Sequence, residues 1–252
     1  MVLVSEPIKS VVAVGDLTDS TLFKTLDGFS PVHGGDGRYP SVGRWTEHLD
    51  PTRLEPCVYG YHLTRGPQVL RWLGPTLYVA EACPDHPPVD DSDKLVTCRA
   101  RLVRRLDRWD ETTARLFAAD CAEAALLGER ACGREPDPRL WAAVEAARAF
   151  ARGEITEATL SAARDDAWAA AAAARGDAAA DAAVRAAVLR AAAWDAAEAA
   201  AWAAISAAWD AAVANAWAAE QNAKDALYRR LCAYLEGAPL PPVEPLYGEA
   251  RE

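Results

Sequence analysis

A large part of this chain lacks the side chains that carry chemistry. Between Ala162 and Ala219 there is no histidine, no cysteine and no lysine. That excludes an imidazole base, a thiolate nucleophile and a His/Cys metal centre from the segment. From Ala178 to Glu236 there is neither glycine nor proline, so nothing punctuates the helical pattern. No long apolar run exists either. Asp and Arg recur every few residues through the alanine-rich stretch, which excludes a membrane span. Histidine is scarce: His33, His48, His62 and His86 all lie before residue 110. The opening MVLVSEPIKS is interrupted by Ser, Glu and Pro and does not read as a signal peptide. The six cysteines, Cys57, Cys83, Cys98, Cys121, Cys132 and Cys232, follow no disulfide-scaffold spacing. A cytoplasmic protein with reduced cysteines is therefore expected.

What fills the gap is alanine with tryptophan. From Ala162 to Ala219, 34 of 58 residues are alanine, and Trp168, Trp194, Trp202, Trp209 and Trp217 are nearly the only large side chains. Alanine favours helix because it loses no side-chain entropy on ordering, but it offers little surface for choosing a partner. The tryptophans supply that surface. Charge is uneven as well. Residues through Asp110 carry a net charge of −2, and the remainder carries −8. Nucleic-acid binding rests on Lys and Arg neutralising phosphates, so an acidic helical half argues against it. Basic partners remain compatible, and the acidic residues also keep an alanine-rich surface soluble.

The fold class expected is α+β: a small mixed or antiparallel β-sheet domain over residues 1–108, then an alanine/tryptophan-rich helical bundle over 109–236. A proline-rich tail at 237–252 closes the chain. Val11–Val14 is a short apolar run, and Thr21–Thr25 alternates weakly. Pro31–Pro40 is a Gly/Asp/Pro loop, and Cys57–Leu63 is aromatic and β-branched with an interior glycine. Pro67 opens a short helix that ends at Gly74-Pro75. Thr76–Ala82 is a strand. Lys94–Leu102 is the clearest strand, with Val96, Cys98, Ala100 and Leu102 on one face.

Past Arg108 the period becomes helical. Asp110 caps a first helix stopped by Gly128, and Asp137-Pro138 starts a second, ended by Gly153. Thr156 caps a third, running to Arg175, before the Gly176-Asp177 break. Read as one helix, 178–236 would be about 88 Å long. Its tryptophans drift by roughly 140° from Trp194 to Trp217. A bend near Ser206 or Asn215, giving two helices, is expected.

Two stretches resemble known families. RLFAADCAEAALL and WAAVEAARAFARGEITEATLSAARDDAWAAAAAA resemble an alanine-rich helical domain of bacterial proteins, some of them labelled immunity proteins. Arg115, Leu116, Phe117, Ala118, Cys121 and Ala122 fit its first motif. Ala147, Arg148, Phe150, Ala151, Gly153, Glu154 and Thr156 fit the second, and Ala162, Ala163 and Arg164 the third. The match covers roughly 109–235 and is structural in kind. Thr159 departs from the usual Glu and removes a reciprocal capping box. The N-terminal part is similar to a small uncharacterised domain of phage and bacterial proteins over about 80 residues. Gly43 with Trp45, Cys57-Val58-Tyr59-Gly60-Tyr61-His62, Ala80-Glu81-Ala82 and Asp93-Lys94-Leu95-Val96-Thr97 carry the likeness. Neither family brings an activity.

Four constellations are weighed for function. Cys57 with His62, and Cys83 with His86, offer nitrogen and sulfur ligands for a structural zinc, although positions 57 and 62 of an alternating strand point to opposite faces. The favoured expectation is no metal and no cofactor. The strings YHLT and TLYVAE are similar to the strand-borne His, Tyr and Glu of ADP-ribosyltransferases, which would make His62, Tyr78 and Glu81 catalytic. The bland alternative is a strand histidine beside a core tyrosine. No Gly-rich phosphate loop or nucleophile elbow supports another enzyme class. Trp194, Trp202, Trp209 and Trp217 form either an exposed binding face or the bundle core, and core is favoured. Finally Arg99, Arg101, Arg104, Arg105 and Arg108 form a basic stripe expected to pair with the acidic helical half. The leading expectation is a non-catalytic interaction protein of phage, mobile-element or immunity type. It would bind a protein partner or itself through the helical half, with no nucleic acid and no membrane. A small ADP-ribosyltransferase-like enzyme on the His62 strand is the alternative.

Overall fold

The structure is a computed structural model that describes residues 17–32, 34–173 and 217–246, with 171–173 and 217–220 described by backbone alone. The expectations for Val11–Val14, for the Gly176-Asp177 break, for the 178–216 bend and for Trp194, Trp202 and Trp209 lie outside these residues. Trp217 opens a helix, but its side chain lies outside them too.

The chain is α+β. Strands β1 (Leu22–Asp27), β2 (Ser30–Pro31), β3 (Tyr61–Arg65), β4 (Thr76–Ala82), β5 (Val89–Asp90), β6 (Leu95–Thr97) and β7 (Ala100–Arg105) form one sheet. Its order is β5-β6-β3-β1-β4-β7, with β2 added on β1 and every pairing antiparallel. The helices are α1 (Glu111–Ala131), α2 (Pro138–Ala151), α3 (Glu157–Ala173) and α4 (Trp217–Glu236).

The sheet must roll up. β6 lies near one end of the strand order and β7 at the other, yet Thr97 and Ala100 are only three residues apart. Three Cα steps span at most about 11 Å. The expected continuous strand Lys94–Leu102 is therefore corrected: it breaks at Cys98-Arg99, and the two pieces join different ends of the sheet. The outer edge of β7 is covered rather than left open. Gly43 N–H donates to Leu102 C=O at 2.8 Å, Thr46 N–H to Ala100 C=O at 2.9 Å and Leu49 N–H to Cys98 C=O at 2.9 Å. Covering an edge removes a template for strand addition.

Alternation along the strands builds two cores. Leu26, Leu63, Tyr78, Leu95 and Leu102 fill the inside of the rolled sheet. Phe23, Leu77 and Val79 face the other way and meet Phe117, Leu126, Val144, Leu227 and Leu231 from the helices. The sheet and the helices thus share one core across residue 109, in place of a separate core for each half. Trp109 sits at that joint. It is buried, its Nε1 donates to Gly74 C=O at 2.8 Å, and its ring meets Phe117 edge-on at 6.3 Å.

The capping signals act as their chemistry dictates. The Asp110 carboxylate accepts from Thr113 N–H at 2.7 Å, and Asp137 from Arg139 N–H at 2.9 Å. Gly128 does not stop α1, which runs on to Ala131. The segment after Pro67 is a 3₁₀ helix, Gly66–Trp72. Asp120 ties three helices together from a buried position. It accepts from Arg148 Nη2 at 2.7 Å, Arg230 Nε at 2.6 Å and Tyr234 Oη at 2.6 Å. Trp168 is 65% exposed on α3. No helix among the described residues is long and apolar enough to cross a membrane.

Candidate functional site

The site begins where two strands part company. β1 pairs with β3 only at Leu22↔Arg65 and Phe23↔Thr64. Beyond that, β1 continues on β4 as far as Leu26↔Thr76, while β3 holds β6 through Tyr61↔Thr97 and His62↔Val96. The strands splay, and a cavity of about 480 Å³ opens between them and the Gly34–Gly37 loop. Lys24, Tyr39, Tyr61, His62, Trp72 and Lys94 are among its walls. That volume is within the range of small-ligand sites.

Splaying leaves backbone groups without ladder partners, and Lys24 meets one of them. Its Nζ donates to His62 C=O at 3.1 Å and lies 5.0 Å from the centre of the Tyr39 ring. Among the described residues no carboxylate reaches it. An ammonium has three donors, so further capacity remains. Burial pulls the Lys24 amine down to about 8. Lys94 differs: burial acts to lower its pKa, but Asp93 at 2.8 Å and Asp91 at 3.3 Å outweigh this and raise it.

Tyr39 is 4% exposed, and its hydroxyl has no hydrogen-bond partner in the described structure. Burial, followed by the neighbouring Tyr61, pushes that hydroxyl's pKa up, so it stays a neutral donor. A buried polar atom without a partner is uncommon and points to something that completes it. Lys24, whose ammonium meets no carboxylate among the described residues, and Tyr39, whose buried hydroxyl has no partner, thus both line this cavity.

His62 is less available. Its Nε2 accepts from Cys57 N–H at 2.8 Å. Burial, then the charges of Lys24 and Lys94, lower its pKa, which keeps the ring neutral. The expected strand Cys57–Leu63 is corrected here, because β3 starts only at Tyr61. Cys57 has φ +64°, and Gly60 has φ +128° with Val96 and Leu54 crowding the place a Cβ would occupy. Residues 57–60 therefore turn, and the turn folds Cys57 back over the imidazole.

The His62, Tyr78 and Glu81 trio is not assembled. Tyr78 is buried inside the rolled sheet, and Glu81 is ion-paired with Arg101 at a different, more open surface. The four expected zinc ligands are also split. Cys57 and His62 stay at the splay. Cys83 lies beside His48 and Cys98, and His86 stacks edge-on against His48 at 5.8 Å between ring centres. Burial, and then the adjacent Cys83 thiol, push the Cys98 thiol up to about 11.

Three arginines of the stripe are taken up within their own half, while the Arg108 guanidinium packs against Gly237 beyond α4. Arg101 binds Glu81, Arg105 reaches Asp107 at 3.3 Å, and Arg99 donates to Thr46 C=O at 3.3 Å. Sequence reasoning missed Lys24, Tyr39, His48 and Cys98. Only Cys98 stood out, as one of the inward-alternating positions. The other three become significant through residues 38, 22 and 50 positions away, respectively. No family model, no curated protein and no solved structure matches this chain.

Proposed function

We propose that this chain is a non-catalytic binding protein whose β-rich half holds a small anionic molecule, carboxylate- or phosphate-bearing, in the cavity between β1 and β3. The observation that carries this is the pairing of the Lys24 ammonium, free of any carboxylate among the described residues, with the orphan Tyr39 hydroxyl. A cation and a hydroxyl donor are what an oxyanion needs. The aromatic walls exclude water and strengthen both contacts. Catalysis is not favoured, because the His62 Nε2 lone pair is engaged by the Cys57 N–H and is not available as a base. Calorimetric titration of the full chain with inorganic phosphate, pyrophosphate, citrate and adenosine monophosphate tests this. Saturable binding is expected, lost in Lys24→Met and weakened in Tyr39→Phe. Absence of binding by every probe, or binding unchanged in Lys24→Met, overturns it.

A second reading places a protein partner, or a second copy of the chain, on the helical half. Trp168 favours it, since an indole 65% exposed on α3 is a large apolar surface. The resemblance to immunity-labelled helical domains fits the same role. Sedimentation velocity tests the self-association form. Concentration-dependent dimers that weaken in Trp168→Ala are expected, and a monomer at all concentrations excludes a second copy as the occupant.

A further inference from the structure

We infer that His48, Cys83, Cys98 and His86 form a tetrahedral zinc centre that staples the corner of the rolled sheet. One ligand atom each from His48, Cys83 and Cys98 falls in a single group, every pair within 4.8 Å. His48 Nε2 and Cys98 Sγ are 3.8 Å apart. Zn–S bonds of about 2.3 Å and Zn–N bonds of about 2.0–2.1 Å place tetrahedral ligand atoms about 3.3–3.8 Å from one another. A thiol–imidazole hydrogen bond would account for His48 with Cys98. A thiol–thiol contact would add Cys83 beside Cys98, but neither contact would account for the His86 ring closing over His48 from the Cys83 loop.

The ligands come from three distant pieces of chain, and each is pinned by backbone chemistry. Leu49 N–H donates to Cys98 C=O at 2.9 Å, which holds His48 against the sheet corner. Cys83 N–H donates to Thr97 Oγ1 at 3.1 Å, which holds the end of β4 beside Cys98. The Cys83-Pro84-Asp85-His86-Pro87-Pro88 loop contains three prolines, which restrict its backbone and reduce the cost of ordering it. Such outer contacts orient ligands before the metal arrives. The two cysteines are buried and His48 is exposed, so the cluster has a rim through which a metal enters. Binding Zn²⁺ releases two thiol protons to solvent, and two thiolates with two neutral imidazoles give a neutral centre.

The fold supplies a reason for a staple here. Cys98-Arg99 is the only link between β6 and β7, which belong to opposite parts of the sheet. A metal joining that corner to the end of β4 and to the Gly43–Leu49 edge segment would fix the roll where backbone pairing is thinnest. This site is separate from the β1/β3 cavity, so neither inference depends on the other.

The test uses the full chain, purified under a phosphine reductant, with metal content measured by mass spectrometry and Co²⁺ added as a spectroscopic probe. One metal per chain is expected, with thiolate-to-cobalt charge transfer and tetrahedral d–d absorption saturating at one equivalent and abolished by Zn²⁺. Cys83→Ser with Cys98→Ser should lose both signals. His48→Ala, at the exposed rim, should keep the wild-type far-ultraviolet dichroism while losing at least tenfold in affinity, and His86→Ala should lose at least tenfold as well. Cys57→Ser with His62→Ala should bind as wild type. Zn²⁺ should raise the melting temperature of wild type but not of the double serine variant. The inference is overturned by absent cobalt absorption at excess metal, by absorption that survives the double serine change, or by unchanged affinity in His48→Ala or His86→Ala. A Cys83–Cys98 disulfide in the reduced preparation, read as an intact mass lighter by two hydrogen atoms, overturns it too.

Discussion

Two regions of this molecule bury charge, and they treat it in opposite ways. At the centre of the helical layer Asp120 has three donors from α2 and α4, and Arg148 meets Glu123 and Glu145 in addition. At the splay of the sheet Lys24 has one carbonyl and a ring face, and Tyr39 has a hydroxyl with nothing to bond. A completed buried network rigidifies what surrounds it, whereas an incomplete one is costly unless something else enters.

The sharpest way to break that comparison is at Asp120. Asp120→Ala removes the buried acceptor shared by Arg148, Arg230 and Tyr234 and should cost about 3–5 kcal/mol, read as a lowered midpoint in urea. A loss below about 1 kcal/mol would mean that the network is ornamental. Next comes the pH dependence of Lys24. Its amine titrates near 8 in the folded chain and near 10.5 otherwise. Between those values the unfolded chain binds more protons, so stability rises with pH there. Wild type should therefore gain on Lys24→Met by up to about 3 kcal/mol from pH 8 to 10.5, by chemical denaturation of both proteins. A constant difference would show that Lys24 is solvated.

Tyr39→Phe comes third. It removes an unsatisfied hydroxyl, so the unliganded protein should stay within about 1 kcal/mol of wild type or become more stable. A larger loss would reveal a hydrogen bond that the structure does not contain. Smallest is Trp168→Ala. At 65% exposure it should shift stability by no more than about 0.5 kcal/mol. A cost of several kcal/mol would return this tryptophan to a core.

Local signals translated faithfully where the physics is local. Thr76–Ala82 is a strand over the whole expected span, because a short apolar run with β-branched and aromatic residues acts within a few positions. Asp137-Pro138 opens a helix because an N-cap needs only the next turn. The misreadings share one cause. Lys94–Leu102 alternates well enough to be one strand, but alternation is blind to which neighbour a strand pairs with. The break at Cys98-Arg99 exists only because the two ends of the sheet meet. Cys57–Gly60 has strand composition and still turns: Val58 N–H and Tyr59 N–H close on Glu55 C=O, and Val96 of β6 leaves no room for a Cβ at Gly60.

The candidate sites divide in the same way. Sequence spacing put Cys83 with His86, and the fold keeps those two in one loop. It could not supply His48 and Cys98, which are 50 residues apart and meet only where the Gly43–Leu49 segment covers the sheet edge.

By itself, then, the sequence determined the class α+β, the change of period after Arg108 and the caps that start α1 and α2. Each rests on interactions between residues a few positions apart. Tertiary structure alone decided that sheet and helices share a core through Trp109, that β1 and β3 splay around Lys24 and Tyr39, and that two cysteines and two histidines gather at one corner. Those features depend on which distant segments meet, and no local propensity encodes that when the meeting is set by how a rolled sheet closes.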